Sequence, residues 1–278
     1  MNTACLDNEA CFTVMIATIM GAPEGTITTP RSELELSVVM PVYNEADAVG
    51  PVVSAWIEEL DRLKIRYEFL VYDDGSRDRT ADVLRQIASE RRQVVVGSHA
   101  NMGHGPTISR GYREAAGEWV FQVDSDDEMS PPAFEQLWTR RAAYDLLLGC
   151  RQDRSSTAAR RLISFGSRAI VRLLFGKGLR DVNTPYRLIR RSALAAMLTR
   201  IPARAFAPNV IMSGLAVRDG LRVYQVMVPH QVRRAGTASI AGWGQWRTAL
   251  RCATETVSVA RRERAAGRRV VSVGRGDG

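Results

Sequence analysis

Four short apolar runs in the first half of the chain each end in a cluster of polar residues. They cover residues 34–42, 68–72, 94–97 and 119–123, and segments with helical spacing of apolar residues separate them. Runs of this length and composition are typical of buried strands. Strands that alternate with helices at this spacing form a mostly parallel sheet with right-handed crossovers. The sequence therefore predicts an α/β fold with a mostly parallel central sheet flanked by helices.

The polar clusters that follow the four predicted strands lie at residues 43–45, 73–76, 101–105 and 124–128. Since the carboxyl ends of parallel strands meet at one edge of a sheet, we expect these clusters to converge there. Open α/β sheets bind their ligands at this edge, and four polar loops can enclose a nucleotide-sized space. The pattern favours one nucleotide site over four unrelated turns.

The fourth cluster is the most acidic, because the sequence VFQVDSDDEMSPP at 120–132 carries Asp124, Asp126, Asp127 and Glu128. Carboxylates that crowd together raise each other's pKa unless a cation compensates their charge. Mg²⁺ or Mn²⁺, held by one or two carboxylates and a substrate phosphate, would supply that cation. The alternative is a solvated acidic turn that caps the next helix.

The second half of the chain is less regular, and its elements follow from apolar spacing alone. Helices are expected at 132–141, 160–175, 206–219 and 243–269, strands at 145–149 and 221–228, and a turn-rich loop at 181–187. The helix at 160–175 is amphipathic, with arginines on one face.

The net charge of +8 and the isoelectric point of about 9.8 indicate an anionic partner, such as a nucleotide, a phosphate or a membrane surface. No nucleic acid is expected, because the chain has no zinc-finger spacing, RNP pattern or clear helix-turn-helix. The four cysteines are scattered without a C-x-x-C pair, so we expect neither a disulfide framework nor a cysteine metal site. No apolar run approaches the roughly 20 residues that span a bilayer. We expect a cytoplasmic protein, with peripheral contact to the inner face of the membrane as an open alternative.

Six ordered motifs carry a resemblance to a known family. They are PVYNEAD at 41–47, VYDDGSRDRT at 71–80, N-x-G-x-G at 101–105, a D-x-D within GEWVFQVDSD at 117–126, D-x-x-T-P-Y-R at 181–187 and H-x-x-R-x-x-G at 230–236. The chain resembles the family 2 glycosyltransferases of the GT-A fold. Within that family it is similar to the branch of dolichyl- and polyprenyl-phosphate sugar synthases, over about residues 35–240.

The resemblance implies a single nucleotide-diphospho-sugar transferase domain at residues 34–240. Its nucleotide-sugar-binding half would be 34–130 and its acceptor-side half 131–240. Residues 1–33 are rich in Thr, Gly and Pro and are interpreted as a disordered leader. Residues 241–278 are interpreted as a basic helical tail with a disordered end.

The resemblance also implies a donor site at the ends of the first four strands. Its residues are Pro41, Tyr43, Glu45, Asp73, Asp74, Asn101, Gly103, Asp124, Ser125 and Asp126. Asp73 would accept a hydrogen bond from the base. Asp124, Asp126 and Glu128 would hold Mg²⁺ or Mn²⁺ beside the diphosphate. Glu128 stands where relatives often have Gln, and its added charge would change the preference for the metal.

The acceptor and diphosphate side is implied to consist of Arg151, Arg160, His230 and Arg233, and the catalytic set of Asp126, Arg151, Arg160 and Asp181. Arg161 competes with Arg160 for its role, and Arg160 could also belong to the solvated face of an amphipathic helix. Asp181 could instead cap a turn, and His230 could make a structural hydrogen bond.

The implied reaction is an inverting displacement at the anomeric carbon of a UDP- or GDP-linked sugar. A phosphate acceptor is already an anion and needs no general base, whereas a hydroxyl acceptor normally does. The residues after the D-x-D motif are richer in Arg than in a matched carboxylate base, which favours a polyprenyl or dolichyl-like phosphate acceptor. The alternative is a soluble family 2 glycosyltransferase that acts on a hydroxyl of a metabolite or cell-surface glycan, with Asp181 as the base.

The amphipathic segment at 160–175 has two interpretations. It could lie at a membrane interface, with its arginines near anionic lipid and with Phe165, Ile170, Leu174 and Phe175 inserted. It could equally be an ordinary helix that docks on the sheet.

Overall fold

The computed structural model describes residues 33–151, 158–229 and 243–273. Seven strands in these ranges form one sheet. They are β1 (Leu36–Val42), β2 (Tyr67–Asp73), β3 (Val94–Ser98), β4 (Trp119–Gln122), β5 (Leu146–Arg151), β6 (Arg187–Arg190) and β7 (Val223–Val228). Their order across the sheet is β3-β2-β1-β4-β6-β5-β7.

Helices cover both faces of this sheet. They are α1 (Val49–Arg62), α2 (Thr80–Glu90), α3 (His104–Glu114), α4 (Phe134–Trp138), α5 (Ala158–Leu174), α6 (Arg191–Leu198), α7 (Pro208–Arg218) and α8 (Trp243–Val273). Short 3₁₀ turns lie at Pro131–Ala133 and Arg141–Ala143. The helix expected at 132–141 is therefore wrong in length, because only Phe134–Trp138 is α-helical.

The prediction of a mostly parallel sheet is confirmed. β1 pairs in parallel with β2 and β4, β2 with β3, and β5 with β7. Among the described strands, β6 alone runs antiparallel to its neighbours, β4 and β5. Since β6 reverses the direction twice, β5 runs the same way as β4. The carboxyl ends of β1, β2, β4 and β5 therefore lie on one edge of the sheet.

Strand β6 and helix α6 were not predicted. The loop expected at 181–187 ends where β6 begins, and β6 is only four residues long. Its sequence, RLIR, does not show the alternation of a half-buried strand. Arg187 is nevertheless fully buried, because its guanidinium donates to the backbone carbonyls of Thr184 and Asn209.

An aromatic cluster packs one face of the sheet. The ring of Trp56 lies 5.2 Å from Phe121, 6.0 Å from Phe134 and 5.8 Å from Tyr186, measured between centroids. All four side chains are at most 1% exposed. The four rings come from α1, β4, α4 and the segment before β6. The cluster therefore connects the part of the sheet formed by β1–β4 with the part that begins at β6.

The other face is covered by α3 and α5–α8. In the part of α8 with described side chains, Thr256, Val259 and Ala260 are buried against this layer. Arg264 of α8 donates from Nη2 to the Leu174 carbonyl at 3.1 Å, which satisfies a free carbonyl at the end of α5. Glu263 accepts from Arg200 at 3.3 Å. These contacts hold α8 against the end of α5 and against the turn after α6.

We predict that Phe121→Ala lowers the free energy of unfolding by about 3–5 kcal/mol, because it leaves a cavity inside the aromatic cluster. Phe165→Ala is the matched control, since the Phe165 side chain is 64% exposed. The control should change the stability by less than about 0.5 kcal/mol. Urea unfolding of both variants measures the difference. Equal losses would contradict the packing described for Phe121.

Candidate functional site

The loops after β1 and β2 are joined into one unit by hydrogen bonds. Asn44 donates from its backbone N to Ser76 Oγ at 2.9 Å and accepts at Oδ1 from the Arg77 backbone N at 2.8 Å. The Glu45 backbone N donates to Thr80 Oγ1 at 2.9 Å. Asn44 has a φ of 53°, a left-handed conformation that Asn tolerates better than most residues. The two loops therefore form a single rigid wall of the site.

Asp73 and Asp74, at the end of β2, are both buried, but their carboxylates accept hydrogen bonds from different loops. Asp73 accepts at Oδ1 from the backbone N and the hydroxyl of Ser76. Asp74 accepts from the backbone N of Met102 at 2.7 Å and from that of Gly103 at 2.9 Å. Asp74 thus holds the loop between β3 and α3 against the end of β2.

Gly75 makes this approach of the two loops possible. Its φ is 72°, and a Cβ at this position would lie 2.7 Å from the backbone N of Asn101. Asn101 itself is exposed, Tyr43 is half-buried and Pro41 is buried. The predicted donor residues after β1, β2 and β3 therefore lie at one edge of the sheet, where the Asp74 carboxylate holds the loop after β3 against the end of β2.

His104, which the sequence reasoning missed, lies opposite the first acid of the D-x-D motif. Its Nε2 is 3.0 Å from Asp124 Oδ1. Gln122 donates from Nε2 to the same oxygen at 3.2 Å. His104 is the first residue of α3, and Asp74 fixes the two residues immediately before it. The sequence feature that could have identified His104 was its position between the two glycines of the N-x-G-x-G motif.

The electrostatics of this pair favour the charged forms. Partial burial alone would lower the pKa of His104, but the charges of Asp124, Asp126 and Asp74 outweigh it and hold the pKa above its ordinary value. Burial alone would raise the pKa of Asp124, but the His104 charge and hydrogen bond, with Arg151, hold it below the usual range. The Asp124 carboxylate is therefore kept ionised.

A buried polar network lies beneath Asp124. Tyr112 donates from its hydroxyl to Gln122 Oε1 at 2.8 Å, and Asn209 donates from Nδ2 to the same oxygen at 2.7 Å. Arg187 donates from Nη1 to the Asn209 carbonyl at 3.2 Å. Because every one of these side chains is at most 4% exposed, the network fixes the amide of Gln122 that faces Asp124.

The remaining acids form a tight turn after Asp124. Asp126 accepts at Oδ1 from the backbone N of Glu128 at 3.2 Å, and Asp127 has a φ of 57°. Ser125 is buried. Among the residues that the structure describes, no three His, Cys, Asp or Glu side chains are gathered as a ready metal site. A Mg²⁺ or Mn²⁺ ion needs only one or two carboxylates when substrate phosphates complete its shell, and the oxygen donors Asp124 and Asp126 suit that ion.

Arg151 ends β5 on the same edge as the acids. Its Nε donates to Asp181 Oδ2 at 3.1 Å, and Asp181 Oδ1 accepts from the backbone N of Asn183 at 3.1 Å. Burial alone would lower the pKa of Arg151, but Asp181, with Asp124 and Glu128 farther away, raises it. The structure therefore brings together Arg151, Asp181 and the acidic turn.

The other predicted residues of the acceptor side are not described. Arg160 lies in the first turn of α5, but its side chain is outside the described set. His230 and Arg233 lie between the described ranges 158–229 and 243–273. Their roles stay predictions.

We predict that Gly75→Ala destabilises the protein more than Gly220→Ala does. Both glycines have positive φ values, 72° and 66°, so each variant places an L residue in the left-handed region at a cost of about 1–2 kcal/mol. Only at Gly75 does the added Cβ meet backbone, whereas at Gly220 it meets nothing within 4 Å. The additional loss at Gly75 should be about 1–3 kcal/mol in urea unfolding. Equal losses would show that the 99–101 backbone does not pack against Gly75.

Comparison with known proteins supplies the family. The model described as Glycosyl transferase family 2 matches residues 37–198. The chain is similar to the undecaprenyl-phosphate 4-deoxy-4-formamido-L-arabinose transferase of Edwardsiella ictaluri, with 31% identity over 204 residues, which cover 72% of this chain and 61% of that protein. The chain thus spans about three fifths of the length of this relative.

The fold is shared with solved structures. Mannosyl-3-phosphoglycerate synthase from Rubrobacter xylanophilus superposes with a TM-score of 0.62 and 19% identity, covering 84% of this chain and 76% of that one. Glucosyl-3-phosphoglycerate synthase from Mycobacterium tuberculosis, solved with Mn²⁺, UDP-glucose and phosphoglyceric acid, has a TM-score of 0.58 and 19% identity, covering 85% and 86%. The family model covers more than half of the chain, and the sheet is mostly parallel with flanking helices, as predicted. The protein is therefore a GT-A fold member of glycosyl transferase family 2.

Proposed function

We propose that the protein transfers a sugar from a nucleoside-diphosphate sugar to a polyprenyl phosphate, with inversion at the anomeric carbon. The observation that carries this proposal is the Arg151–Asp181 pair beside the acidic turn. In this pair the Arg151 guanidinium is held in place by Asp181, and both oxygens of the Asp181 carboxylate already accept hydrogen bonds. The name of the Edwardsiella ictaluri relative, an undecaprenyl-phosphate transferase, supports the same acceptor class.

The donor would bind at the edge of the sheet formed by the loops after β1, β2 and β3. Of the side chains predicted to bind the donor on these loops, Tyr43 and Asn101 are accessible, and Asp73 Oδ2 is the oxygen that would accept from the base. UDP-glucose bound to the Mycobacterium tuberculosis enzyme supports a UDP-linked sugar in this fold. A GDP-linked sugar is the other donor that the proposal includes.

The donor diphosphate would lie beside the acidic turn. Asp124 and Asp126, with Glu128, would hold Mg²⁺ or Mn²⁺ there. The ion, when bound, neutralises charge that develops on the leaving diphosphate. His104 and Gln122 both contact Asp124 Oδ1, and they would fix the orientation of this carboxylate for the ion.

The acceptor would attack through a phosphate oxygen. That oxygen forms the new bond to the anomeric carbon while the bond to the donor diphosphate breaks. Because the attacking oxygen carries no proton, no general base is needed, and Asp181 can serve as the partner that orients Arg151. Arg151, with Arg160 as the second proposed cation, would then stabilise the phosphates on both sides of the sugar.

The transfer is tested by following release of the nucleoside diphosphate from UDP- and GDP-sugars with Mg²⁺ or Mn²⁺, with and without a short-chain polyprenyl phosphate. We expect release to require the lipid phosphate. Asp126→Asn should lower the rate by about 100-fold or more, because a group that stabilises developing charge is lost. Asp127→Asn is the matched control and should keep its rate within a few-fold.

Release that ignores the lipid phosphate but responds to a hydroxyl acceptor would reject the proposed acceptor. In that case Asp181 becomes the candidate base of the alternative reaction. An undiminished rate for Asp126→Asn would reject the proposed role of the acidic turn.

We also propose that α5 and α8 contact a membrane surface. No helix in the described parts of the chain is long and apolar enough to cross a bilayer. Instead, Leu162, Phe165, Leu173 and Leu250 expose between 55% and 79% of their area. Of the four residues expected to insert, only Phe165 belongs to this set. Ile170, Leu174 and Phe175 are only partly exposed, and Phe175 packs against Gly214 of α7.

Phe165→Glu should lower co-sedimentation with vesicles that contain anionic lipid several-fold, because it removes apolar area and adds negative charge. Val95→Glu is the control, since Val95 is 51% exposed on the edge strand β3. Equal binding of both variants would reject a membrane face on α5.

A further inference from the structure

His104 and Asp124 face each other at the place where the proposed metal ion would bind. His104 Nε2 lies 3.0 Å from Asp124 Oδ1. Two ligands that each lie about 2.1 Å from an octahedral ion are about 3.0 Å apart when they are neighbours in its shell. The two side chains are 55% and 28% exposed, so an ion can reach them from solvent. The pair therefore has the spacing and the access of two adjacent ligands of one ion.

The backbone on both sides of His104 is held in place. Before it, the Gly103 backbone N donates to Asp74 at 2.9 Å. After it, Gly105 packs so closely against the loop before α7 that a Cβ there would lie 2.3 Å from the Ala205 carbonyl oxygen. The imidazole is therefore attached to a fixed stretch of backbone, as the precise geometry of a metal ligand requires.

The orientation of Asp124 does not depend on His104 alone. Gln122 donates from Nε2 to the same oxygen of Asp124 at 3.2 Å, and Tyr112 and Asn209 hold the Gln122 amide. The imidazole of His104 is more than half exposed and lies outside this buried network. It can therefore exchange Asp124 for an ion without leaving a buried polar group unpaired.

Negative charge surrounds the imidazole. Besides Asp124, the carboxylates of Asp126 and Asp74 are close enough for their charges to act on His104. These charges attract a metal cation to Nε2. Metal binding requires the neutral ring, so the ion displaces the proton from Nε2, and Nδ1 keeps the remaining ring proton.

We propose that His104 is a nitrogen ligand of the metal ion, beside Asp124 and Asp126. This inference rests on the proposed function and adds to its metal site a ligand from outside the D-x-D motif. Imidazole nitrogen binds first-row transition-metal ions, whereas Mg²⁺ prefers oxygen ligands and gives up its waters reluctantly. His104 therefore makes the site select Mn²⁺ over Mg²⁺.

The test uses Mn²⁺ as its own probe, because its electron spin couples to a nitrogen nucleus that is directly bound. The full chain is mixed with Mn²⁺ and either UDP or GDP, and pulsed EPR spectra are recorded. We expect the coupling of one imidazole nitrogen in the wild type and its loss in His104→Gln, which retains an oxygen donor at this position.

Calorimetric titration with each ion gives a second measurement. His104→Gln should weaken binding of Mn²⁺ about tenfold or more and binding of Mg²⁺ less than about threefold. His99→Gln is the matched control, because His99 is a second imidazole of the same loop and its Nδ1 lies 3.4 Å from Asp74. The control should keep both the nitrogen coupling and the affinity for Mn²⁺.

Three results would overturn the inference. They are the absence of nitrogen coupling in the wild type, coupling that survives His104→Gln, and equal weakening of Mn²⁺ and Mg²⁺ binding by His104→Gln. The last result would mean that His104 only holds Asp124, because a lost hydrogen bond to this carboxylate affects both ions alike. Failure of the proposed function looks different: the nitrogen coupling would be present, but the polyprenyl phosphate would receive no sugar.

Discussion

The hydrogen bonds from Met102 and Gly103 to the buried Asp74 carboxylate are the constraint on which the site depends. They hold the start of α3 against the end of β2, and so they set where His104 projects. His104 then meets Asp124 at the end of β4. One carboxylate thus connects three strand ends. The family resemblance assigns Asp74 to donor binding, but in this structure its carboxylate holds the loop that borders the proposed donor site.

The second half of the chain supports the site from below. Arg187 places a guanidinium inside the core, where burial lowers its pKa, and surrounds it with backbone carbonyls. Through Asn209 and Gln122 this arrangement reaches Asp124. Fully satisfied networks of this kind are rigid, because any displaced member would leave a buried polar group without a partner. The acidic turn is therefore anchored to this buried network rather than to the surface loops.

The sequence was sufficient for features that depend on local patterns. The strands β1–β4 and the edge at which they end follow from the apolar runs and from the polar clusters that end them. The family motifs are read directly from the sequence. Features that depend on distant partners could not be predicted. Arg187 can lie buried at the start of β6 because the carbonyls of Thr184 and Asn209 accept from its guanidinium. His104 becomes a site residue only because Asp74, thirty positions earlier, fixes the turn before it. Arg151 and Asp181 were both identified, but their direct pairing was not.

The position of β6 in the sheet has a consequence for how the chain is made. β1–β4 can pair with one another as they leave the ribosome, because each has a neighbour that precedes it or follows within the same segment. β5 cannot, since both of its neighbours, β6 and β7, come later in the chain. Until Arg187–Arg190 is synthesised, β4 has an open edge and β5 has no partner. Nascent chains that stall at this stage would expose the open edge of β4 and both edges of the apolar strand β5, and unpaired strands of this kind are prone to aggregation and to capture by chaperones.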